Sequence, residues 1–127
     1  MKAEVMFFVR DVEASARWYQ SALGLKAAHG GREYEMIVDA EKNLLFQLHH
    51  ADAEEHGDMA LSETTPRGKG VLVYLAVPDV RAAFAHAKAA GANVRTEPEF
   101  IKQAGHTEFT VQDPDGYTIA PYTRGEH

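Results

Sequence analysis

The sequence predicts an α+β fold in which two βαβββ repeats form curved mixed sheets around a cavity. The first observation is an internal repeat, because residues 8–16 (FVRDVEASA) are echoed by residues 76–84 (AVPDVRAAF). Each copy reads as the end of a strand, an Asp-Val step and a helix that ends at a glycine, Gly24 or Gly91. The second observation is an apolar fraction of 45%, which is enough for a packed core. Two copies are too few for a solenoid, so the units are expected to pair their sheets around one shared cavity.

The first repeat, about residues 3–50, begins with a short strand and a capped helix. Residues 4–10 are rich in β-branched and aromatic side chains, which predicts the strand. Asp11 is expected to cap the helix, because its carboxylate can accept hydrogen bonds from free backbone N–H groups of the first turn. Gly24 supplies the left-handed stop. The apolar stripe of the helix is Val12, Ala16, Tyr19 and Leu23, and strands are expected over residues 25–28, 34–38 and 44–49.

A polar link separates the two repeats within what is expected to be one domain spanning residues 1–127. Residues 51–69 are rich in Glu, Asp, Ser, Thr and Gly and contain one proline. A link of this length often has structure of its own, and a helical turn is one form it can take. Its acidic run, residues 52–55, is interpreted as solvated.

The second repeat, about residues 70–123, restarts the pattern with a strand over residues 70–77. Asp79 is expected to cap the second helix, which ends at Gly91. Residues 113–116, Asp-Pro-Asp-Gly, predict a tight hairpin turn, since Pro fixes φ and Gly accepts a positive φ. The remaining expectations are a helix stripe of Val80, Ala83, Phe84 and Ala87, a strand over residues 92–95, a loop over 98–105, and hairpin strands over 108–112 and 117–122.

Composition excludes several classes of protein. The net charge of -6 and the lack of a basic stripe argue against nucleic-acid binding. The chain has no cysteine, so it has neither a disulfide framework nor a thiolate zinc site. No apolar run approaches the ~18 residues of a membrane span. No signal peptide is visible at the start of the sequence, so the cytosol is the expected location.

Three motifs give the chain a family resemblance. They are residues 9–12 (VRDV), residues 18–25 (WYQSALGL) and residues 113–117 (DPDGY). With the internal repeat, they make the chain resemble the vicinal oxygen chelate superfamily, which includes glyoxalase I, extradiol dioxygenases and the fosfomycin- and bleomycin-resistance proteins. The resemblance implies the fold over nearly the whole chain, but one fold hosts many functions.

The resemblance also implies where metal ligands would lie. In metal-dependent relatives, a ligand on the first strand of each unit precedes the helix-capping Asp by seven residues, and another lies on the last strand. The matching positions here are Glu4, Leu72, Gln47 and Ala120. Leu72 and Ala120 have no donor atom, whereas a catalytic divalent site normally needs about three protein ligands. We therefore predict that the metal site is lost.

The alternation of side chains along each strand predicts what lines the cavity instead. If the former ligand positions face the cavity, so do the residues two positions away. The opposite faces are uniformly apolar, with Val5, Phe7, Val9, Val71, Val73, Leu75, Phe109, Val111 and Ile119, and suit packing under the helices. The predicted ligand-binding residues are Glu4, Met6, Phe8, Gln47, His49, Leu72, Tyr74, Glu108, Thr110, Ala120 and Tyr122. This aromatic and apolar lining with a few polar groups is typical of a small-molecule pocket; the alternative is that these side chains only fill the space of the lost metal site.

Acid-base chemistry remains open at a few of these positions. Of the seven histidines, only His49 has the parity of the predicted cavity. An imidazole can act as an acid or a base near neutral pH, although a partly exposed histidine at a strand end fits the pattern as well. Glu4 and Glu108 are candidates for paired carboxylates in proton transfer, and Glu108 is equally consistent with a solvated strand end.

The pattern is nearest to the metal-free bleomycin-resistance branch of the superfamily. That resemblance implies a homodimer that sequesters an antibiotic or a similar aromatic or apolar ligand, with no cofactor and no catalytic residue. The alternative is a glyoxalase- or dioxygenase-like enzyme with a relocated metal or with acid-base chemistry by Glu4, His49 or Glu108. A third reading is a non-catalytic partner or regulatory domain.

Overall fold

The computed structural model describes residues 1–52 and 67–127. The chain divides into two compact units, Met1–Thr65 and Pro66–His127. Most of the predicted link over residues 51–69, with its acidic run after Asp52, lies outside the described residues.

The first unit contains one helix and a four-stranded sheet within its described residues. In chain order its elements are β1 (Met6–Val9), α1 (Val12–Leu23), β2 (Lys26–Ala27), β3 (Tyr34–Val38) and β4 (Leu44–His50). The strand order in the sheet is β1-β4-β3-β2, with β1 parallel to β4 and the other pairs antiparallel. This is the β-α-β-β-β order that the sequence predicts.

Local signals and one buried face explain the first unit. Asp11 accepts a hydrogen bond from the backbone N–H of Ala14 at 2.9 Å, and Gly24 ends α1 with a φ of 68°. One face of the sheet packs against the helix, where the ring centroids of Tyr19 and Phe46 are 4.8 Å apart. The buried sheet residues on this face are Phe7, Val9, Ile37, Phe46 and Leu48. The predicted Val5 departs from this set, because it precedes β1 and is exposed.

The second unit repeats the arrangement with more strands. In chain order its elements are β5 (Leu72–Ala76), α2 (Val80–Ala89), β6 (Asn93–Val94), β7 (Glu99–Ile101), β8 (His106–Glu108), β9 (Val111–Gln112) and β10 (Thr118–Arg124). The sheet has the order β6-β9-β10-β8-β7, and β5 pairs in parallel with β10. Asp79 caps α2 by accepting from the backbone N–H groups of Arg81 and Ala82, both at 3.1 Å. The predicted Val71 lies before β5 and is exposed instead of packing under the helix.

The stretch predicted as a loop over residues 98–105 contains a strand, which corrects the sequence-based expectation. β7 pairs with β8 in register Ile101↔His106, and the backbone N–H of Gly105 donates to the carbonyl of Ile101 at 2.8 Å to close the turn. Three residues are too short a run to show a strand periodicity beside Pro98. As a result β8 starts at His106, and it ends at Glu108 before β9 resumes the hairpin.

The first strand pairs with the last strand in the same register in each unit, which confirms the internal repeat at the level of backbone pairing. In the first unit Met6 pairs with Gln47, and in the second unit Tyr74 pairs with Ala120. Met6 and Tyr74 each precede the capping Asp of their unit by five residues, so equivalent positions of the repeat meet equivalent partners.

The predicted Asp-Pro-Asp-Gly turn joins β9 to β10 and supports the chain just before β5. The carboxylate of Asp113 accepts from the backbone N–H groups of Asp115 at 3.0 Å and Tyr117 at 2.8 Å. Gly68 lies against this turn, and the side chains of Arg67 and Asp115 form a buried ion pair at 3.7 Å.

Candidate ligand-binding site

The sheet face of the second unit that turns away from α2 carries a cluster of three aromatic rings. The rings of Tyr74 and His106 lie edge to face with centroids 5.1 Å apart, and those of Tyr74 and Tyr122 do the same at 5.5 Å. His106 and Tyr122 are tilted by 36° with centroids 4.6 Å apart. These distances and angles are those of stabilising aromatic contacts. We call Tyr74, His106, Tyr122 and Glu108 the aromatic cluster.

Strand register explains why the four side chains meet. Tyr122 of β10 is opposite Glu108 of β8, and His106 is two residues before Glu108, so it points to the same face. Tyr74 of β5 is opposite Ala120, whose small side chain is fully buried and leaves the sheet surface low at that point. The Tyr74 ring therefore lies across the sheet toward β8. The residue as a whole is 49% exposed.

Glu108 fixes the polar edge of the aromatic cluster. Its Oε1 accepts a hydrogen bond from the Tyr74 hydroxyl at 3.1 Å and lies 2.7 Å from Nε2 of His106. An ionised carboxylate can only accept, so Nε2 of His106 carries the proton of that bond. Burial raises the pKa of the Tyr74 phenol, and the Glu108 carboxylate raises it further by its hydrogen bond and its charge. The Tyr74 hydroxyl consequently stays a neutral donor.

The other predicted residues of this unit take different positions. Leu72 lies on the same strand as Tyr74 and is exposed. Thr110 lies between β8 and β9, where its hydroxyl is 3.0 Å from that of Thr96 and its backbone N–H donates to the Thr96 hydroxyl at 2.8 Å. Thr110 is thus engaged by the neighbouring chain segment outside the aromatic cluster.

The equivalent face of the first unit brings together four of the predicted residues. Met6 pairs with Gln47 and Phe8 with His49, and the rings of Phe8 and His49 are tilted with centroids 5.3 Å apart. Phe8 and His49 are nearly fully buried, and Nδ1 of His49 is 3.0 Å from the backbone carbonyl of His50. His49 is therefore held as a packed ring on this face.

Tyr34 and Met36 complete this face, although the sequence analysis did not select them. They lie opposite His49 and Gln47, and the Tyr34 hydroxyl donates to Oε1 of Gln47. Burial raises the pKa of the Tyr34 phenol, and the negative charges of Glu4 and Glu35 raise it further. The missing signal was the antiparallel pairing of β3 with β4, which places alternate residues of β3 beside the selected residues of β4.

Glu4 lies before the start of β1 and is exposed, which corrects the expectation that it belongs to the strand. This position suits a charged residue, because a carboxylate at a strand end is accessible to water. Its negative charge contributes to the raised pKa of the Tyr34 phenol.

The positions that hold a metal ion in some members of the superfamily do not fit one here. In the first unit they supply a carboxylate at Glu4 and an amide at Gln47, whose oxygen is already engaged by Tyr34. In the second unit Leu72 and Ala120 supply no donor atom. Within residues 1–52 and 67–127, no three His, Asp or Glu side chains are grouped so that they could hold a metal ion.

His106 is the functional candidate that sequence reasoning missed. The expected loop ended at residue 105 and the expected strand began at Glu108, so His106 was assigned to neither and was given no place on the cavity face. Counting back two residues from Glu108 along an extended chain would have placed it on the same face. With Glu108 as its partner, His106 is a buried imidazole joined to a carboxylate.

Comparison with known proteins establishes the family. The model of the Glyoxalase/Bleomycin resistance protein/Dioxygenase superfamily matches residues 3–120. The chain belongs to this superfamily, and its mixed α+β fold, with curved sheets and two helices in the described residues, is the fold of that family. A search of curated proteins gave no significant match.

Solved structures show the same fold at low sequence identity. A protein of unknown function from Agrobacterium tumefaciens is 26% identical, with a TM-score of 0.78 over 97% of this chain and 94% of that one. A glyoxalase/bleomycin resistance protein/dioxygenase from Nocardioides is 19% identical, with a TM-score of 0.77 over 99% of this chain and 84% of that one. A glyoxalase-related enzyme from Fulvimarina pelagi is also 19% identical, with a TM-score of 0.76 over 98% and 88%. These likenesses establish architecture, and the activity must be argued from the site.

The helices give no sign of a membrane span. In the part of the chain that the structure describes, neither α1 nor α2 has the length and apolar character needed to cross a bilayer.

Proposed function

We propose that this protein binds a flat aromatic or apolar small molecule, such as an antibiotic or a similar compound, on the face formed by the aromatic cluster. Binding requires no metal ion, and its consequence is sequestration, with no covalent bond made or broken. The observation that carries the proposal is the half-exposed Tyr74 ring, which is held by Glu108 and flanked by His106 and Tyr122.

Preorganisation supports this function. The hydrogen bond to Glu108 and the two edge-to-face contacts fix the Tyr74 ring before any ligand arrives. A ligand that stacks on this ring therefore buries apolar surface without first ordering the side chain, which lowers the entropic cost of binding. A few polar groups beside an aromatic surface are typical of a small-molecule site.

The donor atoms argue against the metal-dependent reactions known among relatives. Leu72 and Ala120 leave the second unit without a ligand at the family positions. The same positions instead place a small buried side chain at Ala120, opposite Tyr74, and an exposed apolar side chain at Leu72, which suits contact with a bound ring system. Apolar side chains at the positions of the metal ligands favour the metal-free, ligand-binding branch of the superfamily.

We further propose that the protein is a homodimer in which the second chain helps to cover the open face. The support is the apolar exposure before and along β5, where Val71 is 55% exposed, Leu72 44% and Tyr74 49%. Adjacent exposed apolar side chains of this kind mark interaction surfaces. Two-fold symmetry is the commonest way for a single chain to pair with itself.

A thermal-shift screen in the presence of EDTA tests the proposed function. The panel contains two- and three-ring aromatic compounds together with open-chain aliphatic compounds of similar mass. The proposal predicts that some aromatic compounds raise the melting temperature and that EDTA leaves the shifts unchanged. Shifts that vanish with EDTA and return with a divalent metal would overturn it, as would a panel in which no aromatic compound stabilises the protein.

A second candidate function is acid-base catalysis at Glu108. The observation that favours it is the pair of hydrogen bonds that links Glu108 to His106 and Tyr74, because such linked groups can move protons. Glu4 is exposed and His49 is a packed ring, so the acid-base alternative narrows to this cluster. Conversion of a bound aromatic compound, followed by mass spectrometry, would support this candidate if E108Q abolished turnover but retained binding.

A further inference from the structure

We propose that Glu108 makes the aromatic cluster selective for flat ligands that carry a protonated nitrogen, such as aminated heteroaromatic compounds. This inference rests on the proposed function, because it names the chemical class of the ligand that the same site binds. It is carried by the unequal use of the two carboxylate oxygens of Glu108 and by the charges around them.

The two carboxylate oxygens of Glu108 differ, because Oε1 accepts the hydrogen bonds within the aromatic cluster and Oε2 can accept one from a ligand. Oε1 receives both the Tyr74 hydroxyl at 3.1 Å and Nε2 of His106 at 2.7 Å. Within residues 1–52 and 67–127, no donor bonds to Oε2. The side chain is 12% exposed, so Oε2 is a mostly buried acceptor beside a half-exposed aromatic ring. A partly buried carboxylate oxygen of this kind gains most from a charged N–H donor.

Two carboxylates lie side by side on this face of the sheet. Glu99 of β7 is the cross-strand partner of Glu108 and adds a second carboxylate on the same face. Among the described residues His106 is the basic side chain within ion-pair distance of Glu108, at 2.7 Å, whereas the Arg124 guanidinium lies over the Tyr122 ring at 5.9 Å. The carboxylates of Glu99 and Glu108 would therefore attract a cationic ligand and repel an anionic one.

The aromatic rings strengthen the same preference. The face of an aromatic ring carries negative electrostatic potential and attracts cations. Arg124 already uses one face of Tyr122 in this way, and the exposed part of Tyr74 offers a comparable surface. A flat cation can stack on Tyr74 while its nitrogen reaches Oε2 of Glu108, which joins both interactions in one ligand.

Three probes of the same shape and different charge test the inference. They are 9-aminoacridine, which is cationic, acridine, which is neutral in mildly alkaline buffer, and acridine-9-carboxylate, which is anionic. Their affinities are measured by isothermal titration calorimetry for the parent protein, E108Q and E99Q. E99Q is the matched control, since it removes a charge from the same face without touching Tyr74 or His106.

The inference predicts that the parent binds 9-aminoacridine about tenfold or more tightly than acridine, with acridine-9-carboxylate weakest. E108Q should lose this preference, and E99Q should keep most of it. Equal affinities for the three probes, or an equal loss in E108Q and E99Q, would overturn the inference while leaving the proposed function in place. Binding of none of the three would instead contradict the proposed function. If circular dichroism shows that E108Q does not fold, the order of the three affinities for the parent protein tests the inference by itself.

Discussion

At the scale of single residues, the Tyr74 phenol reports most directly on the aromatic cluster. Burial raises its pKa, and Glu108 raises it further because the carboxylate accepts its hydrogen bond and repels a phenolate. In E108Q the hydrogen bond weakens and the repulsion disappears, so the pKa of Tyr74 should fall toward the ordinary tyrosine value. Ultraviolet absorbance of tyrosinate, recorded as a difference from Y74F, measures this shift.

The control is Tyr34, a second tyrosine with a raised pKa. Tyr34 owes its raised pKa to burial and then to Glu4 and Glu35, none of which E108Q changes. A Tyr74 pKa that does not move in E108Q, or a Tyr34 pKa that moves by as much, would show that the Tyr74–Glu108 contact is not formed.

The residues at the family metal positions lead to a second prediction. Because Leu72 and Ala120 cannot donate, protein purified without chelator should contain well under one equivalent of zinc, nickel, iron or manganese per chain. Elemental analysis by mass spectrometry measures this. One tightly held ion per chain that is lost in E4Q or Q47L would contradict the prediction and favour the enzyme alternative.

Sequence reasoning selected some site residues and missed others for a simple reason. The alternation of side chains along each strand predicted that Tyr74, Glu108 and Tyr122 face the same way, and the structure brings these three together. Parity cannot show which strands are neighbours, so Tyr34 was not seen beside β4. His106 was missed because the expected strand began two residues later, at Glu108.

At the scale of elements, the internal repeat made most of the fold predictable. Both helices begin after an Asp cap as expected, and α1 ends at Gly24. The second helix ends at Ala89 with Ala90 as its C-cap; this cap residue remains in the right-handed helical region, and the expected Gly91 turns left-handed one residue later. The short β7 was not predictable, since its pairing with β8 is a tertiary feature that three residues cannot encode.

Gly68 gives a prediction about the contact between the Asp-Pro-Asp-Gly turn and the chain before β5. A Cβ on Gly68 would lie 2.8 Å from the Cα of Tyr117 and 2.9 Å from the carbonyl oxygen of Gly116. Its φ of +72° is also unfavourable for other residues. G68A should therefore lower the free energy of unfolding by about 2–4 kcal/mol, from left-handed strain plus overpacking.

Gly91 is the matched control for Gly68. Its φ of +77° is similar, but a Cβ there would meet no atom within 4 Å. G91A should cost only the strain of the left-handed conformation, about 1–2 kcal/mol. Urea denaturation of both variants separates the two contributions, and equal losses of stability would show that Gly68 does not pack against the turn.

At the scale of the whole molecule, the exposed apolar side chains around β5 predict self-association. A single chain leaves Val71, Leu72 and Tyr74 half exposed, and burial in a partner removes that apolar surface from water. Light scattering at micromolar concentration should report a dimer, and L72E should shift it toward the monomer. K69E, at an exposed site three residues away, is the control. A parent protein that is monomeric at this concentration would contradict the prediction.

The measurement that tests the central claim most directly is a titration of the best aromatic compound from the thermal-shift screen against Y74A and Y34A. Both variants remove a tyrosine with a raised pKa from the equivalent face of its unit, but only Y74A removes the half-exposed ring of the aromatic cluster. The account predicts that Y74A weakens binding by about ten- to a hundredfold, while Y34A binds as the parent protein does. Unchanged affinity in folded Y74A would contradict the account, because the ligand would then bind elsewhere on the molecule.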